Sequence, residues 1–142
     1  MPWAEDRLGA ERIKGAYAWR DLLDSGVLIP GGSDAPVERL DPIGAFIAAV
    51  WRTTREGEPP GGWYVGQAMT RAEALKCMTE WAAYGAFQEE RLGTLERGMR
   101  ADMTVLDVDL MEDARERIAA GRVEMTVFDG RVVYVAEAPA AE

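Results

Sequence analysis

The sequence predicts an α/β fold that ends in a small β-rich part, and three observations carry that prediction. Residues 10–29 read as a helix, a glycine stop and a short apolar run in close succession. That is the rhythm of an α/β unit with a parallel sheet. Two later segments open with helix-start signals, Asp41-Pro42 and Thr70-Arg71-Ala72-Glu73. Past Leu92 the chain turns to short alternating segments closed by Asp129-Gly130.

The first helix is expected over residues 10–25. Ile13, Ala16, Tyr17, Leu22 and Leu23 recur near helical spacing, and Gly26 stops it. Val27-Leu28-Ile29 then reads as a buried strand. The second helix starts at Asp41-Pro42, where Asp caps free amides and Pro at the first helical position loses no hydrogen bond. It should reach about Arg52 through Ile43, Phe46, Ile47 and Val50. Residues 55–66 form a loop, because Pro59-Pro60-Gly61-Gly62 continues neither regular structure. The third helix opens with the Thr70–Glu73 capping box. Its apolar stripe is Leu75, Met78, Trp81 and Ala82, and it ends between Gly85 and Glu90.

In the second part, Met103–Leu106 reads as a strand and residues 114–120 as a short helix stopped by Gly121. Val123–Phe128 and Arg131–Val135 read as strands joined at Asp129-Gly130, a two-residue loop whose positions favour positive φ. The tail over residues 137–142, rich in Ala and Pro, is expected to be loose. Residues 1–91 are thus a helical α/β segment and residues 92–142 a β-rich one.

Composition removes several classes of function. The chain has 142 residues, a net charge of −9, one cysteine and no histidine. Without histidine, Ser-His and Cys-His catalysis and imidazole metal ligation are closed to these residues acting alone. An acidic chain repels phosphate backbones, so nucleic acid is not an expected partner. No apolar run approaches the ~20 residues of a membrane span, and the N-terminus has no apolar leader core, so the cytoplasm is the expected compartment and no membrane partner is expected. Cys77 reads as a small buried hydrophobe; one thiol makes neither an internal disulfide nor a zinc site.

The segment that points to chemistry is Gly32-Ser33-Asp34-Ala35-Pro36, just past the expected strand. Carboxylates at the C-terminal ends of parallel strands point into the active site of α/β barrels. The plainer alternative is a turn in which Asp34 bonds nearby amides.

At this segment the sequence resembles the amidohydrolases, specifically the YtcJ-like "amidohydrolase 3" branch. Residues 31–37 followed by Asp41-Pro42 are similar to the end of that family's barrel. Residues 8–12 and 16–23 look like the helix before its last strand, and Thr70-Arg71-Ala72-Glu73-Ala74-Leu75 like its post-barrel helix. Residues 93–107 are similar to the family's G-S-L-x-x-G-x-x-A-D-x-x-V-L-D return to the β-domain, and residues 126–134 resemble its terminal hairpin. The resemblance covers nearly the whole chain, in order.

The resemblance implies an eight-stranded β/α barrel joined to a β-sandwich built from both chain ends. It implies one or two divalent metals, zinc above all, that activate water for attack on an amide or related C–N bond. Asp34 would bind metal and take the proton from the attacking water. The chain then corresponds to the C-terminal part of such an enzyme: residues 1–91 a partial barrel with its last strand, flanking helices and post-barrel helix, residues 92–142 the C-terminal part of the composite β-domain. A barrel alone takes about 200 residues or more. The family's His-x-His pair, its bridging lysine or acid and its two later histidines have no counterpart here, so only Asp34 carries over as a catalytic and metal-binding position.

Two expectations follow: the chain alone is inactive and holds no metal, and it self-associates as a homo-oligomer, a dimer that pairs strands or swaps helices. Three roles stay open: a piece of an enzyme completed by a separate N-terminal chain, a non-catalytic binding or regulatory module, or a truncated relic. Arg52 and Arg55 read as solvated surface arginines, or else as partners for a substrate carboxylate. Trp51, Trp63 and Tyr64 read as core or interface packing, or else as pocket lining. Glu89-Glu90 and Glu112-Asp113 read as solvated or capping acids. Trp3 and Trp19 are candidates for exposed apolar surface.

Overall fold

The structure is a computed structural model that describes residues 2–137. Helix α1 (Pro2–Arg12) is kinked at Gly9, whose φ of 73° is non-helical, and passes into a 3-10 turn, Ile13–Gly15. Helix α2 spans Trp19–Asp24. The single helix expected over 10–25 is therefore two pieces. The break falls at Tyr17, which sits in the left-handed region at φ 54°. Its carbonyl accepts from the Trp19 amide at 2.9 Å and from the Arg52 guanidinium at 3.3 Å. Those bonds hold a conformation that a non-glycine residue adopts only at a cost.

Val27-Leu28-Ile29 is not a strand. Val27 and Leu28 are exposed, and only Ile29 packs against the core. A parallel strand needs a neighbour to bond its backbone, and no described residue takes that place. Helix α3 (Pro42–Trp51) forms as expected: the Asp41 carboxylate accepts from the Gly44 amide at 3.0 Å and Pro42 occupies the first turn. Its exit is Arg52, left-handed at φ 59°.

The third expected helix is broken too. Helix α4 (Arg71–Met78) begins with the complete Thr70–Glu73 capping box. At Thr79 the backbone leaves the helix (φ −126°, ψ −88°), and α5 (Glu80–Gly85) starts anew. The chain at Gly93 nests against this junction; a Cβ there would lie 2.9 Å from Ala83 Cβ and 3.1 Å from Thr79 O. The buried stripe is Ala74, Cys77, Trp81 and Ala83, with Met78 half-buried, whereas Leu75 is exposed.

Strands β1 (Met103–Leu106), β2 (Val123–Phe128) and β3 (Arg131–Val135) form an antiparallel sheet in the order β1-β2-β3, with helix α6 (Arg115–Ala119) between β1 and β2 in sequence. Phe128 faces Arg131 across the Asp129-Gly130 turn, where both turn residues have positive φ. Residues 138–142, most of the tail expected to be loose, lie outside the described residues.

One core joins the helical segment to α6. Phe46, Ile47, Ala74 and Ile118 are each fully out of solvent and belong to a single cluster with Ile43, Met69, Cys77 and Trp81. A second, smaller cluster gathers Ala4, Ile13 and Trp63. Two arginines lace the segments together. Arg115 of α6 donates to Thr53 Oγ1, to Thr54 O at 2.8 Å and to Arg55 O at 3.2 Å. Arg55 reaches back to Ala119 O at 2.7 Å, to Gly121 O and to the Asp41 carboxylate at 3.0 Å.

Candidate functional site

The Asp34 segment is held by its flanks. Gly31 donates its amide to Cys77 O at 2.8 Å, and the approach is so close that a Cβ at Gly31 would lie 2.6 Å from Cys77 Sγ. Glycine is required there for that reason. Past it, Val37 N–H donates to Asp34 O at 2.8 Å and Glu38 N–H to Ser33 O at 3.2 Å, which closes a turn around Asp34. Asp34 is left-handed at φ 51°, a region Asp tolerates better than most residues. Its side chain is exposed and makes no hydrogen bond or ion pair among the described residues. The turn exists, but its bonds run through the backbone and leave the carboxylate open.

A divalent metal does not fit the donors present. The described residues contain no group of three or more His, Cys, Asp or Glu side chains placed to hold an ion, and a zinc site takes three or four ligands. Cys77, the one thiol, is buried in the core and burial raises its pKa, which disfavours the thiolate a metal needs.

Arg52 is the residue the sequence placed wrongly. It is 2% exposed, not solvated. Its guanidinium lies between two indoles, 4.3 Å from the Trp19 ring centroid and 5.0 Å from that of Trp63. Nε donates to Trp63 O at 3.0 Å, while Nη1 is buried with no partner among the described residues. Burial lowers its pKa. Tyr17 packs edge-on against Trp63 at 5.5 Å, and Tyr64 does so at 4.6 Å. The group joins the approach to α2, the end of α3 and the loop at Trp63. Long-range packing of this kind leaves no local signal beyond the arginine and aromatics themselves. Arg55 is likewise bonded rather than solvated.

The remaining candidates separate cleanly. Glu89 and Glu90 are exposed. Asp113 accepts from the Asp109 amide at 2.8 Å and so organises the turn before α6 rather than a site. Trp3 is 66% exposed, whereas Trp19 is covered by Arg52. Trp51 borders a cleft of about 430 Å³ with Val50, Val65 and Arg115; a second cleft of about 590 Å³ lies between Arg39, Arg55 and Arg122. Asp34 lines neither.

The described residues thus combine a helical core, an exposed aspartate after Gly31-Gly32 and an antiparallel terminal sheet. Residues 1–134 match the family described as "Amidohydrolase family", and the chain belongs to it. It is 35% identical over 134 residues to the protein YtcJ of Bacillus subtilis (strain 168), covering 94% of this chain and 25% of that one. It is 30% identical over 129 residues to Protein LONG AFTER FAR-RED 3 of Arabidopsis thaliana (90% and 22%). With the N-substituted formamide deformylase of Arthrobacter pascens it shares 32% over 115 residues (81% and 21%). The chain thus spans about a quarter of the length of the curated relatives it matches. Among solved structures, an amidohydrolase from Thermotoga maritima MSB8 shares the fold, with a TM-score of 0.59 and 24% identity over 91% of this chain and 29% of that one. No helix among the described residues is long and apolar enough to cross a membrane.

Proposed function

We propose that this chain contributes one carboxylate, Asp34, to a hydrolase acting on non-peptide C–N bonds, and that the other polar groups of the site lie outside these 142 residues. On this reading residues 1–91 correspond to the region around the last strand of a β/α barrel, and residues 92–142 to the C-terminal part of its β-domain; residues 27–29, which form no strand here, would pair only with the rest of such a barrel. The observation that carries the reading is the Asp34 side chain, held on a closed turn beside Gly31-Gly32 yet free of every internal partner among the described residues. A structural aspartate in a turn normally spends its oxygens on nearby amides; this one makes no such bond among the described residues. The deformylase named among the relatives supports a C–N bond as the target.

On this reading the 142 residues alone bind no divalent metal tightly and do not hydrolyse amides. Elemental analysis and zinc titration of the purified chain, with Asp34→Ala as the control, test it. The expected result is no stoichiometric zinc and no turnover of formamide or acetamide substrates. One zinc per chain that Asp34→Ala abolishes, with turnover, would show a complete site within these residues and overturn the proposal.

A further inference from the structure

Two helices close on the pair of residues that leads into the Asp34 turn. At the last turn of α4, Cys77 O accepts from the Gly31 amide at 2.8 Å, and a Cβ at Gly31 would lie 2.6 Å from Cys77 Sγ and 3.1 Å from Cys77 O. At the end of α5, a Cβ at Gly85 would lie 2.7 Å from Pro30 Cγ and 2.8 Å from Pro30 Cβ. An unbroken helix would set Cys77 and Gly85 about 12 Å apart along its axis. That is about three times the ~3.8 Å between the consecutive residues they touch. The break at Thr79 brings both onto Pro30-Gly31. Gly93 seats on that break, where a Cβ would lie 2.9 Å from both Ala83 Cβ and Glu80 Cα. The clamp has no long flexible side chain to give way. The proline ring cannot rotate aside, and the Cys77 carbonyl is helix backbone.

We propose that the α4–α5 elbow positions Asp34: Cys77 and Gly85 are positioning residues that fix Pro30-Gly31 and so set where the turn presents its carboxylate. Ile29, just upstream, is anchored in the main core. Strain at Pro30-Gly31 therefore passes downstream into residues 32–38, which no helix or strand holds. Asp34 lies three residues past Gly31, within about 10 Å even when fully extended. The helices are held independently of the turn: the Thr70–Glu73 capping box starts α4, and Trp81 and Ala83 bury α5. An atom added inside the clamp thus moves the coil and not the helices. Every contact of the clamp lies within the chain, so none depends on what a longer protein adds around it. The catalytic weight of the position rests on the role proposed for Asp34; the clamp itself does not.

Amide spectra and hydrogen exchange of the 142-residue chain are the test. Gly31→Ala and Gly85→Ala should each displace the resonances of residues 34–38. Each should also speed exchange of the Val37 and Glu38 amides, which close the turn, by about tenfold. Gly15→Ala, where a Cβ meets nothing within 4 Å, should do neither. Adding Cys77→Ala to Gly31→Ala takes Sγ out of the contact and should restore most of both effects. Cys77→Ala alone leaves a cavity, so that recovery cannot come from added stability. Where the glycine variants fail to fold, Cys77→Ala alone decides: it should move the same resonances with unchanged far-ultraviolet circular dichroism. Folded variants whose residues 34–38 match the wild type overturn the proposal, and so does a Cys77→Ala that restores nothing. These spectra report on the clamp whether or not Asp34 serves a hydrolase, and the zinc and turnover assays judge the hydrolase reading whether or not the clamp holds.

Discussion

The tie between Arg20 and Glu73 joins α2 to α4 across 53 residues of sequence, and replacing Glu73 with Gln should cost stability in a pH-dependent way. Both guanidinium Nη atoms of Arg20 donate to the Glu73 carboxylate, Nη1 at 3.0 Å. The same carboxylate accepts from the Thr70 amide at 2.7 Å and hydroxyl at 2.8 Å. Hydrogen bonds from Arg20, then those from Thr70, hold the Glu73 pKa down at about 2 from an ordinary 4.5. Each pKa unit is worth about 1.4 kcal/mol, so the ceiling is about 3 kcal/mol. Both side chains remain about a quarter exposed, and solvent screening brings the expected contribution to about 1–2 kcal/mol. Gln at this position keeps the capping box and loses the charge, so Glu73→Gln isolates the ion pair. A depressed carboxylate pKa stabilises above the unfolded value and ceases to do so as pH falls through the folded one. The wild type should therefore melt about 3–6 °C above Glu73→Gln at pH 7, and the gap should close between pH 5 and pH 2. Thermal melts followed by circular dichroism at pH 7, 5, 4 and 3 measure it. A gap of the same size at pH 3 as at pH 7, or none at pH 7, refutes the assignment of the effect to the ionised carboxylate.

Two further substitutions probe the contacts that join distant segments. Arg115→Ala removes the donors to Thr53, Thr54 and Arg55, with an expected loss of about 1–2 kcal/mol; hydrogen exchange over residues 53–57 should quicken while that of α4 stays the same. Arg52→Lys should fail to rescue Arg52→Met, because an ammonium cannot both fill the flat space between Trp19 and Trp63 and reach two carbonyls. Both variants should lose about 1–3 kcal/mol and change the tryptophan emission, and a lysine variant as stable as wild type would count against the sandwich.

What the sequence disclosed and what it hid divide along the range of the forces involved. Asp41-Pro42, Thr70–Glu73 and Asp129-Gly130 act within four residues of themselves, and each formed the cap or turn that its residue types require. The breaks at Tyr17 and Thr79 were not legible, because their causes lie far along the chain. Tyr17 is held left-handed by Arg52, 35 residues away, and the Thr79 junction receives the backbone at Gly93. Helical periodicity reads one stretch at a time and carries no record of such a neighbour. Arg52 shows the same limit from the other side: arginine after a helix ordinarily meets solvent, and only the convergence of Trp19 and Trp63 makes burial tolerable.

The candidate site turns on that same distinction. Asp34 was legible because two glycines, an aspartate and a proline form a local turn whatever else is present. The role proposed for the aspartate comes only from the family pattern spread over the rest of the chain, since no described side chain completes a site around it. The run at residues 27–29 argues in the same direction. Three consecutive apolar residues with β-branching are suited to a strand covered on both faces, yet Val27 and Leu28 stand in solvent directly before the Asp34 turn. An apolar run without its sheet and a carboxylate without its companions occur within eight residues of each other. On the proposed reading one cause accounts for both: strands and polar ligands of a larger barrel meet this edge of the chain. Supplying such a segment should order residues 27–29 and bring Asp34 its partners in one step, so protection of the Leu28 and Ile29 amides and uptake of metal should rise together, and either without the other would separate two features that this reading joins.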